Sequence, residues 1–155
     1  MPELNKGKNA PLFTLPDSKG NKIALKDLAG KPVVIYFYPK DMTSGCTAES
    51  CDFRDAFPDF RKLKTTIIGI SRDSVESHKK FSDKYGLPFY LLSDEAGKVT
   101  EKYGVWKEKS MYGRKYMGIE RTTFVIDKNG KIAKKFPKVK VKDHVEEVLK
   151  VIKEL

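Results

Sequence analysis

Cysteine is scarce in this chain: Cys46 and Cys51 are the only two in 155 residues. That is too few for the disulfide framework of a small secreted domain. Only two histidines, His78 and His144, stand beside them. A structural zinc site takes about four Cys/His ligands in close pairs, so this set argues against one. Long apolar runs are also missing. The longest, residues 33–38, is far too short to cross a bilayer, and Met1-Pro2-Glu3-Leu4-Asn5 is not a secretory signal. The expectation is a soluble, cytoplasmic chain with no membrane partner, forming a single domain over residues 1–155. Glutamine is absent while lysine and glutamate are abundant, a composition seen in hyperthermophile proteins.

What the chain does have is apolar content and positive charge. Hydrophobic residues make up 39% and charged residues 34%, enough of the former to exclude a disordered chain. Lys+Arg is 31 against 21 for Asp+Glu, a net charge of +10. A surplus of that size suits either a solvated lysine-rich surface or an anionic partner such as nucleic acid. The lysines run along the whole chain, and no helix-turn-helix, zinc-finger or RNP motif accompanies them. The solvated surface is the simpler reading, with no specific nucleic-acid partner. A basic nucleic-acid-binding module is the alternative, and steep salt dependence of binding would reveal it.

The patterning alternates strands and helices. Residues 10–15 and 22–25 flank the turn Asp17-Ser18-Lys19-Gly20-Asn21, as in an N-terminal hairpin. Residues 33–38 form a β-branched and aromatic run without polar alternation, the mark of a strand buried on both faces, and Pro39 ends it. Phe53, Ala56, Phe57, Phe60 and Leu63 recur at helix spacing, and Pro58 within them predicts a kinked or divided helix. A buried strand follows at 65–70, then a helix over 74–85 capped by Asp73 or Ser74 and closed by Gly86. Next come a short strand at 89–92, a helix over 95–103, a hairpin of 122–127 and 131–136 around Asn129-Gly130, and an amphipathic helix over 142–155. Residues 107–118 have weak periodicity and read as a surface loop anchored by aromatics. A lid lined by Trp106, Tyr112 and Met117 is the alternative. The histidines read as surface residues on their helices. This order predicts an α/β fold whose mixed central sheet carries helices on both faces.

In such a sheet, function sits beyond the carboxyl ends of the strands, where residues 39–46 fall. Thr43 or Ser44 can cap the next helix and put Cys46 in its first turn. The free N–H groups and positive dipole end there stabilise a thiolate. Gly45 leaves room for another molecule to approach the backbone. On the helix wheel Cys46 lies near the centre of the apolar stripe, while Cys51 is about 160° from Phe53 and nearer solvent. A small buried core residue is the plain alternative for Cys46.

The pattern Pro39-x-x-x-Thr43-x-x-Cys46 resembles the signature of the peroxiredoxins. The longer text is Tyr36-Phe37-Tyr38-Pro39-Lys40-Asp41, then Gly45-Cys46-Thr47, Glu49, Cys51 and Phe53-Arg54-Asp55. It is similar to the Q-type branch, also called bacterioferritin comigratory proteins. The likeness continues through Ile68-Gly69-Ile70-Ser71, Leu91-Leu92-Ser93-Asp94, Lys102-Tyr103-Gly104-Val105 and Arg121-Thr122-Thr123-Phe124-Val125-Ile126-Asp127, and so covers nearly the whole chain. One departure is Ser44, where the family usually has proline.

The resemblance implies a thioredoxin-like fold and a thiol-dependent peroxidase. Cys46 would be the thiolate that attacks peroxide, and Cys51 the thiol that resolves its sulfenic acid into an internal disulfide. Charge developing on both peroxide oxygens calls for fixed donors. The candidates are the Thr43 hydroxyl, the backbone N–H groups near Gly45 and Cys46, and the Arg121 guanidinium, with Pro39 walling the pocket. Glu49 is a candidate for orienting the arginine, an exposed acid in the first turn being its other reading. A salt bridge with Glu120 is the other reading of Arg121. The implied partners are a hydrogen peroxide or organic hydroperoxide substrate and a thioredoxin-like dithiol reductant. No cofactor is implied, and a monomer suffices. A thioredoxin-fold thiol-disulfide oxidoreductase is the alternative enzyme, although it would want Cys-x-x-Cys.

The spacing of the thiols carries a mechanical consequence. On one α-helix, five residues give about 7.5 Å of rise and about 140° of rotation, hence a Cα separation of about 8.7 Å. A disulfide needs roughly 7 Å or less. Bond formation therefore predicts unwinding around residues 47–53, at the modest cost of a fraying helix end.

Overall fold

Every residue of the strand β3 (Val33–Phe37) is buried, and successive side chains enter two different cores. The computed structural model, which describes residues 4–155, shows the arrangement that demands this. β3 pairs in parallel with β4 (Thr66–Ser71) on one side and antiparallel with β8 (Thr122–Ile126) on the other. β5 (Tyr90–Ser93) runs parallel beyond β4, and β9 (Ile132–Phe136) antiparallel beyond β8. The sheet order is β5-β4-β3-β8-β9, mixed as the strand pattern predicted.

Because side chains alternate along a strand, Val34 and Tyr36 face one side of the sheet and Val33, Ile35 and Phe37 the other. The first side is covered by α1 (Ser44–Lys62), α2 (Val75–Tyr85) and α4 (His144–Lys153) through Phe53, Phe60, Phe81, Val145, Val148 and Ile152. The second side is covered by α3 (Lys98–Lys102) through Val99, with Tyr103 just beyond it, and by Phe13 and Leu25. Leu25 begins a short 3₁₀ turn, Leu25–Leu28, after the N-terminal hairpin of β1 (Thr14–Pro16) and β2 (Lys22–Ala24). Ser74 caps α2 by accepting from the Ser77 N–H, and Gly86 closes it in the left-handed conformation. Among the described residues no helix is long and apolar enough to cross a membrane.

Two expectations are corrected. First, α1 is continuous through Pro58. Proline removes the N–H that would bond the carbonyl of Arg54. Pro58 lies on the exposed side, where water can satisfy that carbonyl, and buried Phe53 and Phe60 hold the helix to the sheet on either side of it. Second, residues 107–118 are not a loop. They form the antiparallel hairpin of β6 (Trp106–Met111) and β7 (Arg114–Ile119). Its turn residues Tyr112 and Gly113 both have positive φ, 51° and 77°, the geometry of a tight hairpin turn. Most of its side chains are exposed, so no apolar alternation betrays the strands. Trp106 lies beneath the Arg72 guanidinium, 3.3 Å from its ring centroid, and Tyr112 is 99% exposed at the tip. They anchor and end the hairpin.

Candidate active site

Cys46 occupies the third position of α1 and is 1% exposed. The first ladder bond of the helix runs from the Thr47 N–H to the Thr43 carbonyl at 2.9 Å. The N–H groups of Ser44, Gly45 and Cys46 therefore precede the ladder, and the first turn contains no acidic side chain to compete for them. Thr43 is the N-cap residue, but its hydroxyl does not cap. It donates to the Lys40 carbonyl at 2.8 Å, which commits its proton and leaves its oxygen lone pairs for a donor. Pro39 is half-buried at the start of the same loop.

Arg121, in the short link between β7 and β8, reaches this helix end. Its Nη2 donates to Cys46 Sγ at 3.3 Å and its Nη1 to Glu49 Oε1 at 2.7 Å. Gly45 makes the approach possible. A Cβ there would lie 3.1 Å from Arg121 Nη2, so the space expected to admit a ligand admits the arginine. Burial pulls the Arg121 pKa down, but Glu49 and Cys46 outweigh it and hold it above its usual range. Glu120, the other pairing considered for Arg121, instead meets Lys107 at 3.3 Å.

Glu49 is not an exposed first-turn acid. It lies in the second turn, fully buried, with Oε1 on Arg121 and Oε2 without a partner among the described residues. Burial pushes its pKa up to about 7, and the Arg121 charge and hydrogen bond keep it from rising further. One guanidinium thus serves two acidic groups, Cys46 and Glu49. Lys109 of β6 is a second cation nearby, half-buried, its stem packed over Gly118. Burial and then Arg121 lower its pKa, while Cys46 and Glu120 oppose the fall. Lys109 escaped the sequence reading because its hairpin did.

Cys51 is half-buried farther along the same unbroken helix, and both thiols are free. The residues around it are firmly seated. Ser50 is buried with its Oγ 2.9 Å from Tyr36 Oη, and Phe53 is buried and stacked on Tyr36 with centroids 4.7 Å apart. Burial raises the Tyr36 pKa well above its ordinary value, so the phenol keeps its proton. The segment expected to unwind is therefore no fraying end. Releasing Phe53 would cost about 2–3 kcal/mol in lost burial, and the Tyr36–Ser50 bond about 1 kcal/mol more.

The histidines, expected on the surface, are both buried. His144 Nε2 lies 2.8 Å from Thr123 Oγ1, and burial, with Arg121 nearby, lowers its pKa to about 4. His78 lies within a polar cluster beneath residues 39–43. Of the residues proposed from sequence, Cys46, Arg121, Glu49, Gly45 and Thr43 converge on the first two turns of α1. Cys51 stands apart on the next stretch of that helix.

The chain matches the model of the AhpC/TSA family over residues 6–135. It is 52% identical to Peroxiredoxin Bcp of Bacillus subtilis over 149 residues, 96% of this chain and 95% of the relative. It is 44% identical to Peroxiredoxin Bcp of Escherichia coli K12 over 154 residues, 99% of both. Among solved structures, peroxiredoxin Q of Xanthomonas campestris superposes with a TM-score of 0.88 at 44% identity, covering 92% of this chain and 90% of that one. A PrxQ mutant from Xylella fastidiosa superposes with a TM-score of 0.93 at 37% identity, covering 99% and 98%.

Proposed function

The chain belongs to the AhpC/TSA family, in its Bcp or peroxiredoxin Q branch, and has the thioredoxin-like fold and thiol peroxidase activity of that branch; from this premise we propose that Cys46 is the thiol that peroxide oxidises and Cys51 the thiol that resolves it. The observation that carries the proposal is the Arg121 fork, with one arm on Cys46 Sγ at 3.3 Å and the other on buried Glu49 at 2.7 Å. A guanidinium held in place by a carboxylate is a fixed donor beside a sulfur, and fixed donors lower a barrier in which charge develops.

The Cys46 thiolate attacks one peroxide oxygen. An S–O bond forms as the O–O bond breaks, and the departing oxygen leaves as alcohol or water after taking up a proton. The N–H groups of Gly45 and Cys46 and the Arg121 guanidinium face the charge on the two oxygens. The Thr43 oxygen, whose own O–H donates to the Lys40 carbonyl, accepts a hydrogen bond from the hydroperoxide O–H, and that proton stays on the transferred oxygen. Cys46 is then a sulfenic acid. The Cys51 thiolate attacks that sulfur and displaces hydroxide, which leaves as water, to give the Cys46–Cys51 disulfide. Unwinding between the two thiols must come first. A dithiol of the thioredoxin kind restores both thiols. Because the resolving thiol lies in the same chain, a monomer completes the cycle, and the cytoplasm supplies such reductants.

For substrate class, the bacterioferritin comigratory protein of Xanthomonas campestris is described for alkyl peroxide reduction. We carry organic hydroperoxides, beside hydrogen peroxide, to this chain on that likeness. The test is turnover of hydrogen peroxide and an alkyl hydroperoxide with a thioredoxin system. Cys46→Ser should abolish turnover of both. Full turnover by that variant would overturn the assignment.

A further inference from the structure

Asp41 sits in the loop between β3 and α1, two residues before the N-cap Thr43, yet it is 5% exposed. Its carboxylate accepts from Tyr38 Oη at 2.6 Å and from Ser77 Oγ at 2.8 Å, and lies 2.7 Å from His78 Nδ1. Its backbone N–H donates to Asp73 Oδ2 at 2.8 Å, an oxygen that also accepts from Ser71 Oγ at 2.6 Å. His78 is fully buried, with Nε2 2.9 Å from the Leu92 carbonyl. Asp41 thus ties the loop through its side chain to α2 and, by way of His78, to β5, and through its backbone N–H and Asp73 to the end of β4.

The protonation follows from the partners. A carbonyl only accepts, so His78 Nε2 carries a proton. Nδ1 and Asp41 Oδ2 then share a second proton, because without it two lone pairs would oppose each other at 2.7 Å away from water. The pair is carboxylate with imidazolium or carboxylic acid with imidazole, and its net charge is zero either way. Two carboxylates and a ring are also a composition that binds cations. Here Asp41 Oδ2, Asp73 Oδ2 and both ring nitrogens already have hydrogen-bond partners.

The reaction as described uses Thr43, the first N–H groups of α1 and Arg121, and gives this cluster nothing to do. The loop above it is not in a relaxed form: Met42 has φ 66°, a left-handed conformation that a non-glycine residue adopts only when its neighbours impose it. Asp41 is the neighbour on one side and Thr43 on the other. We infer that Asp41 and His78 are positioning residues for peroxide reduction, pinning residues 39–43 so that the Thr43 oxygen and the N–H groups of Gly45 and Cys46 meet the peroxide at fixed positions. This inference rests on Cys46 as the reacting thiol.

The experiment compares two reagents in a Cys51→Ser parent, where Cys46 is the single thiol. Hydrogen peroxide needs docked oxygens, whereas iodoacetamide needs only a thiolate. Asp41→Ala should slow the stopped-flow peroxide reaction by at least about 30-fold while alkylation slows by less than about 3-fold, since a misplaced docking geometry penalises only the reaction that uses it. Asp41→Asn can still accept from Tyr38 and donate to a neutral His78 ring, and should recover the peroxide rate to within about 5-fold of the parent. A folded Asp41→Ala chain that reacts with peroxide within about 3-fold of the parent, or loses both rates equally, overturns the inference. If Asp41→Ala does not fold, Asp73→Ala unties the loop from β4 without touching His78 or Tyr38, and a selective peroxide loss of about 10-fold is then the expected result, with no selective loss overturning it. A parent inert to peroxide, or a Cys46→Ser/Cys51→Ser chain that still consumes it, would show that the Cys46 assignment itself has failed, and the clamp with it.

Discussion

Cys46 and Cys51 share one helix and differ in almost everything around them. Cys46 is buried at the helix's open N-terminal end, touched by a guanidinium that a buried carboxylate holds in place. Cys51 is half-buried in the body of the helix, where the ladder occupies every nearby N–H. The identity of the residue therefore assigns no role. The proposed roles rest instead on position relative to the free N–H groups and the fork of Arg121. The two surroundings also differ in mobility. The loop before Cys46 is tied down by Asp41, while between the thiols the helix is held by Ser50 on Tyr36 and by the Phe53 ring. In the proposed cycle one end stays still for peroxide chemistry, and the other lets go for the disulfide to form.

The strongest way to break this contrast is to exchange the thiols for serine one at a time. Cys46→Ser should leave no measurable peroxide turnover, whereas Cys51→Ser should still consume one equivalent of peroxide per chain and then stop, as a burst assay would show. Next, Arg121→Ala removes the fork and should slow Cys46 oxidation by about 10²–10³-fold in stopped flow, the usual effect of deleting one fixed donor. Arg121→Lys should restore only part of it, since an ammonium cannot bridge sulfur and carboxylate in one plane.

The acid–base balance around Arg121 gives a third test. Glu49 has a pKa raised to about 7, so its contribution to stability is present below the ordinary carboxylate pKa and lost as pH rises to about 7. His144 has a pKa lowered to about 4, so its contribution is present above pH 6.5 and lost as pH falls to about 4. The two slopes oppose each other between about pH 4.5 and 6.5, each worth at most about 3 kcal/mol. Denaturant unfolding of the unsubstituted chain should therefore be nearly flat in that window. Glu49→Gln should uncover loss of stability toward acid, and His144→Asn loss toward neutral pH. A flat profile in both variants would show that neither group titrates in the fold as described. The smallest effect belongs to the Ser50 latch. Ser50→Ala removes a hydrogen bond that unwinding must break, worth about 1 kcal/mol, so the disulfide should form about 5-fold faster at an unchanged rate of Cys46 oxidation.

Much of this was legible in the sequence. The unbroken apolar run of β3 announced a strand buried on both faces, and Asn129-Gly130 announced the late hairpin. The helix start near Thr43 placed Cys46 at the free N–H groups, and family likeness singled out Arg121, which strand pattern alone would not. What stayed hidden depended on neighbours distant in the chain. His78 looks like a polar residue on an exposed helix face until Asp41, 37 positions earlier, turns out to be its partner. Glu49 looks like a surface acid until Arg121, 72 positions later, is seen to pair with it in the interior. The β6–β7 hairpin has too little buried surface for periodicity to report, and it hid Lys109. Pro58 misled for a local reason: its exposed position makes the missing hydrogen bond cheap.

The most direct measurement is peptide mass after a single equivalent of hydroperoxide, made on the unsubstituted chain and on Cys51→Ser. The expected result is a Cys46–Cys51 disulfide in the first and one added oxygen confined to Cys46 in the second. Oxygen first appearing on Cys51, or a disulfide joining two chains in place of the internal one, would contradict the assignment of the two thiols.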